Sequence, residues 1–148
     1  MKTRSHVHQE SFSVPPEKIF KLLVTPSAIR QWWSAARAIV IAQEGGMWTA
    51  AWGGDEDDPD YITSAVIATY DPPRRLVLDN YRYYARTGPL PFEVLFVTEF
   101  DIRRENGGSI LKVTQEGFPA GSEGDEFLKG CEKGWRDTFE GIRRFLSK

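Results

Sequence analysis

Between residues 122 and 147, Leu128, Cys131, Trp135, Thr138/Phe139, Ile142 and Phe145/Leu146 recur every three or four positions. That spacing places them on one face of a single long helix. Ser122, with Asp125 three residues on, reads as the capping box at its start, with Asp in place of the usual Glu. Most of the chain before it carries strand and turn signals, so the apolar stripe of this helix has to bury itself on a sheet. One helix covers only part of one sheet face. If the sheet curls around it, a space remains between the two. Four glycines, Gly124, Gly130, Gly134 and Gly141, interrupt the helix, each at a cost of about 1 kcal/mol relative to Ala. Close approach to the sheet, or room for a ligand, would account for them.

Upstream, residues 3–14 alternate as a strand until Pro15–Pro16 stop it. Proline is tolerated in the first turn of a helix, and a short helix over 16–23 follows, with Ile19, Phe20 and Leu23 on one face. Thr25-Pro26-Ser27 restarts a second short helix that ends at Trp32–Trp33. Then come strand segments at 38–42, 47–52, 61–70, 76–84, 92–104 and 110–116, separated by Gly45–Gly46, GGDEDDPD, Asp71-Pro72-Pro73-Arg74, TGPLP and Asn106-Gly107-Gly108. In the segment 92–104, Phe92, Val94, Phe96, Thr98, Phe100 and Ile102 share one face, and Glu93, Glu99, Asp101 and Arg103 share the other. Consecutive strands with tight turns imply an antiparallel sheet. The fold class is therefore α+β: a curved antiparallel sheet of about six to seven strands wrapped around a long C-terminal helix, with two short helices after the first strand. The 148 residues read as one domain.

Four of the five tryptophans, Trp32, Trp33, Trp48 and Trp52, fall within one short stretch. Tryptophan is seldom fully buried, because it is large and its N–H needs a partner. Such clustering suits the wall of a cavity. The expected lining is Trp33, Trp48, Trp52, Tyr61, Phe96, Cys131, Trp135 and Phe139, around a small apolar or aromatic molecule. Trp32 and Trp33 are neighbours on one helix and are expected to face apart, one in the core and one at the entrance.

Other chemistry is weaker. The net charge is −2 and the arginines are scattered in pairs, which argues against a nucleic-acid platform. One cysteine forbids an intrachain disulfide. No signal peptide and no eighteen-residue apolar run is visible, so the expectation is a cytoplasmic protein without a membrane span. His6, His8 and Glu10 share one strand face and carry metal-binding side chains, but residues two apart on a strand lie ~7 Å from each other, so a polar strand face is the better reading. Cys131, mid-helix and without an adjacent base, reads as a small hydrophobe. The acidic loop Asp55, Glu56, Asp57, Asp58 and Asp60 lacks the glycine and terminal glutamate of an EF-hand. No catalytic or nucleotide-binding motif appears, and no cofactor or metal is expected.

The stretches SVPPEKIFKLL, TPSAIRQWW, YDPPRRLVL, and GFP before a helix containing GCEKGW occur in this order. Together they resemble domains like the activator of heat-shock-protein-90 ATPase, within the START and polyketide-cyclase (SRPBCC) superfamily. The resemblance spans nearly the whole chain and implies the helix-grip fold. One departure is local: an Asp and an Arg often precede the paired glycines in such domains, where this chain has VIAQEGG, so their role does not transfer to Ile41 or Gln43. The superfamily includes lipid carriers, hormone receptors, cyclases, hydrolases and co-chaperone domains. The leading expectation is non-catalytic binding of a small hydrophobic or aromatic ligand between sheet and helix. The alternatives are a module that stimulates a chaperone ATPase through the acidic loop and proline-rich turns, and a cofactor-free cyclase or hydrolase using Glu99, Tyr61 or His8. A chaperone or a second copy of the chain is the candidate macromolecular partner.

Overall fold

The computed structural model describes residues 3–92 and 94–147. The elements in order are β1 (Thr3–Phe12), α1 (Pro16–Val24), α2 (Pro26–Trp32), β2 (Arg37–Val40), β3 (Met47–Trp52), β4 (Tyr61–Asp71), β5 (Arg75–Ala85), β6 (Val97–Glu105), β7 (Gly108–Pro119), a 3-10 turn at Ser122–Gly124, and α3 (Asp125–Leu146). Seven strands form one antiparallel sheet in the order β1-β7-β6-β5-β4-β3-β2. The chain enters at one edge, crosses through α1 and α2 to the other, and returns as a meander that ends beside its first strand. No helix among the described residues is long and apolar enough to cross a membrane.

The inner face of the sheet grips α3. Phe100 of β6 meets Trp135 edge-on at 5.8 Å between ring centroids, and Phe12 of β1 lies 6.3 Å from Phe139. On β6 the alternation is clean: Thr98, Phe100 and Ile102 are buried, while Glu99 faces out and pairs with Arg75. This is the helix-grip arrangement.

Three local expectations are corrected. The strand at 92–104 starts only at Val97, with Glu93 outside the described residues. Its partner explains the late start: the β6–β7 ladder ends at Val97↔Glu116, and the next residue, Gly117, has φ +93° and lies so near Leu95 that an added Cβ would sit 2.1 Å from its carbonyl oxygen. The capping box does not form either. Ser122 belongs to the 3-10 turn, Gly124 is the N-cap and it makes no side-chain cap bond. Asp125 is drawn instead to Arg4 of β1, whose guanidinium also donates to the carbonyls of Pro119 (2.9 Å) and Gly121 (3.3 Å). Arg4 thus ties the start of α3 to the edge strand. Finally, Trp32 and Trp33 do not face apart. Trp33 is the residue just past α2, with ψ 0°, and its ring folds back on Trp32 at 5.5 Å and 19°.

The helix glycines divide by position. An added Cβ at Gly141 would lie 2.2 Å from the backbone oxygen of Trp32, whereas Gly130 and Gly134 face open space. The C-terminal half of α3 is therefore pressed onto α2, and the face of its N-terminal half at Gly130 and Gly134 is open. Gly141→Ala must push two backbones apart and should destabilise the fold by about 1–3 kcal/mol. Gly134→Ala meets nothing and should be neutral or stabilising by up to about 1 kcal/mol. Urea denaturation of the two variants checks this, and equal effects would refute the division.

Candidate functional site

The break between α1 and α2 organises the tryptophans. In an uninterrupted helix the carbonyl of Leu22 would accept from the N–H of residue 26, but residue 26 is proline and has none. Trp32 Nε1 donates to that carbonyl instead, at 2.9 Å, and Trp48 Nε1 donates to the next one, Leu23, also at 2.9 Å. Thr25 Oγ1 covers Lys21 in the same turn. A third indole, Trp52, donates to the carbonyl of Trp33 at 3.3 Å. With their N–H groups held by backbone, these rings can turn their faces to an apolar space. Trp33 sits in their midst, with ring centroids 5.0–6.4 Å from Trp32, Trp48, Trp52 and Trp135.

Opposite stands a second aromatic wall. Phe127 of α3 stacks on Phe96 at 5.4 Å and 6°, and meets Tyr83 edge-on at 5.9 Å. Phe118 lies 4.7 Å from Phe96. Between the walls is a cavity of about 610 Å³. Gly130 and Gly134 border it on the helix side, so the open space at these two glycines is part of the cavity.

Two bulges shape its floor. Between Ser64↔Arg82 and Val66↔Asp79, β5 carries one residue more than β4, and Asn80 takes up the excess with φ +49°, a conformation Asn tolerates better than most residues. Beyond it the side-chain alternation is inverted, so Leu78 and Tyr81 both line the cavity. Gly117 does the same on β7, between Arg4↔Phe118 and His6↔Gln115, and brings Gln115 and Phe118 to one face.

Of the residues expected from sequence, Trp33, Trp48, Trp52, Tyr61, Phe96, Cys131 and Trp135 border this cavity. Phe139 does not. It packs behind Trp135, 6.0 Å away, in the core. Among the lining aromatics, sequence reading missed Trp32, Tyr81, Tyr83, Phe100, Phe118 and Phe127. Phe127 was findable, since it stands four residues before Cys131 and eight before Trp135 on the same helical stripe. Tyr81 and Phe118 were not, because strict alternation from Leu78 and Gln115 turns them outward.

The polar groups form a line across the floor. Tyr81 (β5) and Thr98 (β6) share a hydroxyl–hydroxyl bond of 2.7 Å, and Gln115 Nε2 (β7) donates to Thr98 Oγ1 at 3.1 Å. Burial pushes the Tyr81 phenol well above its ordinary range and pushes the Cys131 thiol up to about 12, with the nearby Glu132 adding to it. His6 and His8 bond to one another at 2.6 Å. Burial lowers the pKa of both; the His8 charge lowers His6 further and the Arg136 charge lowers His8 further, while Glu132 pulls both the other way. Glu10 is turned to Arg143, 3.0 Å away, so these three do not converge on one point. Among the described residues, no group of three or more His, Cys, Asp or Glu is placed to hold a metal ion. The other nominated acid, Glu99, lies on the outer face with Arg75, and Tyr61 stands 46% exposed at the rim.

Comparison with known proteins bears on the fold and on kinship. A protein of Mesorhizobium loti shares 22% identity with this chain at TM-score 0.77, covering 97% of each chain. An Hsp90 activator of Plasmodium falciparum shares 18% at TM-score 0.74, covering 97% of this chain and 96% of its own. The CalU16 protein of Micromonospora echinospora shares 19% at TM-score 0.69, covering 98% and 77%. Curated protein sequences give no match. The family described as "Activator of Hsp90 ATPase homolog 1-like protein" matches over residues 13–147, and together with the seven-stranded grip around α3 this means that the chain belongs to that family.

Proposed function

We propose that the protein binds a small hydrophobic or aromatic molecule, without transforming it, in the cavity between the sheet and the N-terminal half of α3. The observation that carries this reading is the open space beneath Gly130 and Gly134, facing two aromatic walls. A volume of about 610 Å³ falls within the ~300–1,000 Å³ range of small-molecule sites. The titratable groups inside it favour holding over chemistry. The Cys131 thiol is pushed up to about 12 and the Tyr81 phenol is pushed up as well, so neither is ready as a nucleophile or base near neutral pH.

The family description supplies a second reading, a module acting on a chaperone ATPase. The acidic loop suggested for that contact is largely paired within the chain: Glu56 with Arg37 at 2.8 Å, and Asp58 and Asp60 with Arg86 at 3.3 and 2.9 Å. Stimulation of a chaperone ATPase by the purified protein would favour this second reading.

Two measurements test the first. An apolar aromatic probe should quench the tryptophan fluorescence of the native protein. Gly134→Leu, which places a side chain in the open space, should weaken that probe at least about tenfold while the fold persists; undiminished binding would put the site elsewhere. Cys131 should resist alkylation in the folded protein at about pH 8, where on the order of one thiol in ten thousand is ionised, and should react once the protein is unfolded in urea. Rapid labelling of the native protein would show an activated thiol and reopen a catalytic reading.

A further inference from the structure

We propose that the Tyr81 hydroxyl is the polar anchor of the cavity and selects a neutral ligand that presents a hydrogen-bond acceptor, such as a carbonyl oxygen, in preference to a carboxylate. This deepens the cavity reading above and rests on it.

The argument begins with hydrogen counting at Thr98, a side chain only 1% exposed. Gln115 Nε2 donates to Thr98 Oγ1. Gln115 Oε1, buried and facing His6, is turned away from Thr98, so if Tyr81 donates to Thr98 as well, both lone pairs of Thr98 are taken and its own O–H has no acceptor among the described residues. A buried hydroxyl hydrogen left without an acceptor is unfavourable. Reversing the shared 2.7 Å bond removes the orphan: Thr98 donates to the Tyr81 oxygen, and the phenolic hydrogen is released toward the cavity. The chain then runs in one direction, from Gln115 through Thr98 to Tyr81, and its terminal donor has no acceptor among the described residues. Gln115 and Thr98 are register partners on neighbouring strands, and with the Gln115 amide oxygen facing His6 the amide presents its donor to Thr98.

Charge sets the second half of the selection. Among the described residues lining the cavity there is no Lys, Arg or His, and the one carboxylic acid is Glu126, exposed on α3. A carboxylate drawn into this space would lose its hydration without gaining a cation, which is far more costly than burying a carbonyl. The raised pKa of Tyr81 keeps it protonated, and so a donor, throughout the neutral range.

The test uses three naphthalenes of matched shape: acetylnaphthalene as the neutral acceptor, ethylnaphthalene as its apolar counterpart, and naphthoate as the anion. Each is titrated by calorimetry into the native protein, Tyr81→Phe and Thr98→Val. Acetylnaphthalene should bind native protein at least about tenfold more tightly than naphthoate. Tyr81→Phe should weaken acetylnaphthalene by about five- to tenfold and leave ethylnaphthalene within about twofold. Thr98→Val, which removes the hydroxyl behind Tyr81, should cause a smaller loss with the same selectivity. Naphthoate binding as tightly as acetylnaphthalene, or a Tyr81→Phe effect equal on acetyl- and ethylnaphthalene, would overturn the inference and leave the cavity reading standing. Failure of all three to bind the native protein would overturn both.

Discussion

The interaction on which this structure turns is the capture of two backbone carbonyls by two indoles. Pro26 ends α1 by withholding an N–H, and the carbonyls of Leu22 and Leu23 are claimed by Trp32 and Trp48. A buried carbonyl without a partner is costly, as is a buried indole N–H. Here each group satisfies the other. The consequence reaches beyond local bookkeeping. The bonds lock the helical crossover to β3 near the far edge of the sheet, and they orient large rings with no remaining polar demand. Trp33 then fits among four neighbours, and the aromatic wall becomes a rigid unit. The crowding of tryptophans in the sequence is thus as much about closing the α1–α2 corner as about lining a space.

Helix α3 serves two opposed requirements along one length. Where Gly141 meets the backbone of Trp32, the absence of a side chain permits contact, which anchors the helix. At Gly130 and Gly134 the same absence permits emptiness. Glycine weakens a helix by about 1 kcal/mol in either place, so the sequence alone does not distinguish the two uses. The neighbours do: Gly141 is followed by Ile142 in the core, and Gly134 lies between Cys131 and Trp135 on the cavity side.

How much was legible follows the same division between local and tertiary causes. The long helix, the two short helices split at Pro26, the strand Met47–Trp52 and the Asn106–Gly107 turn are written in periodicity and in turn chemistry, and the structure has them there. The tryptophan side of the cavity could be read because Trp48 and Trp52 are an even number apart on an unbulged strand. The tyrosine and phenylalanine side could not. A single inserted residue reverses every side chain that follows it, and nothing near Asn80 or Gly117 announces which strand carries the excess. Only pairing with β4 and β1 reveals it. The start of α3 misled for a related reason: Ser122 and Asp125 have the spacing of a cap, but Arg4, distant in sequence, binds the aspartate. Phe139 keeps the helical period of the cavity residues and still faces the core, because the stripe is wider than the space.

The place of β1 beside β7 has a consequence for how the molecule comes into being. The first strand, Thr3–Phe12, finds its sheet neighbour in Gly108–Pro119. During synthesis, which proceeds from the N-terminus, it must wait unpaired until almost the whole chain has left the ribosome. Arg4 on that strand also holds the first turn of α3 through Asp125. Contacts so distant in sequence slow folding, because the loop between them has to close before they return any stability. The meander from β2 to β7 can form step by step, each strand adding to the last. Until β7 is made, β1 lacks its ladder partner, and an unpaired strand is open to wrong partners in a crowded cell.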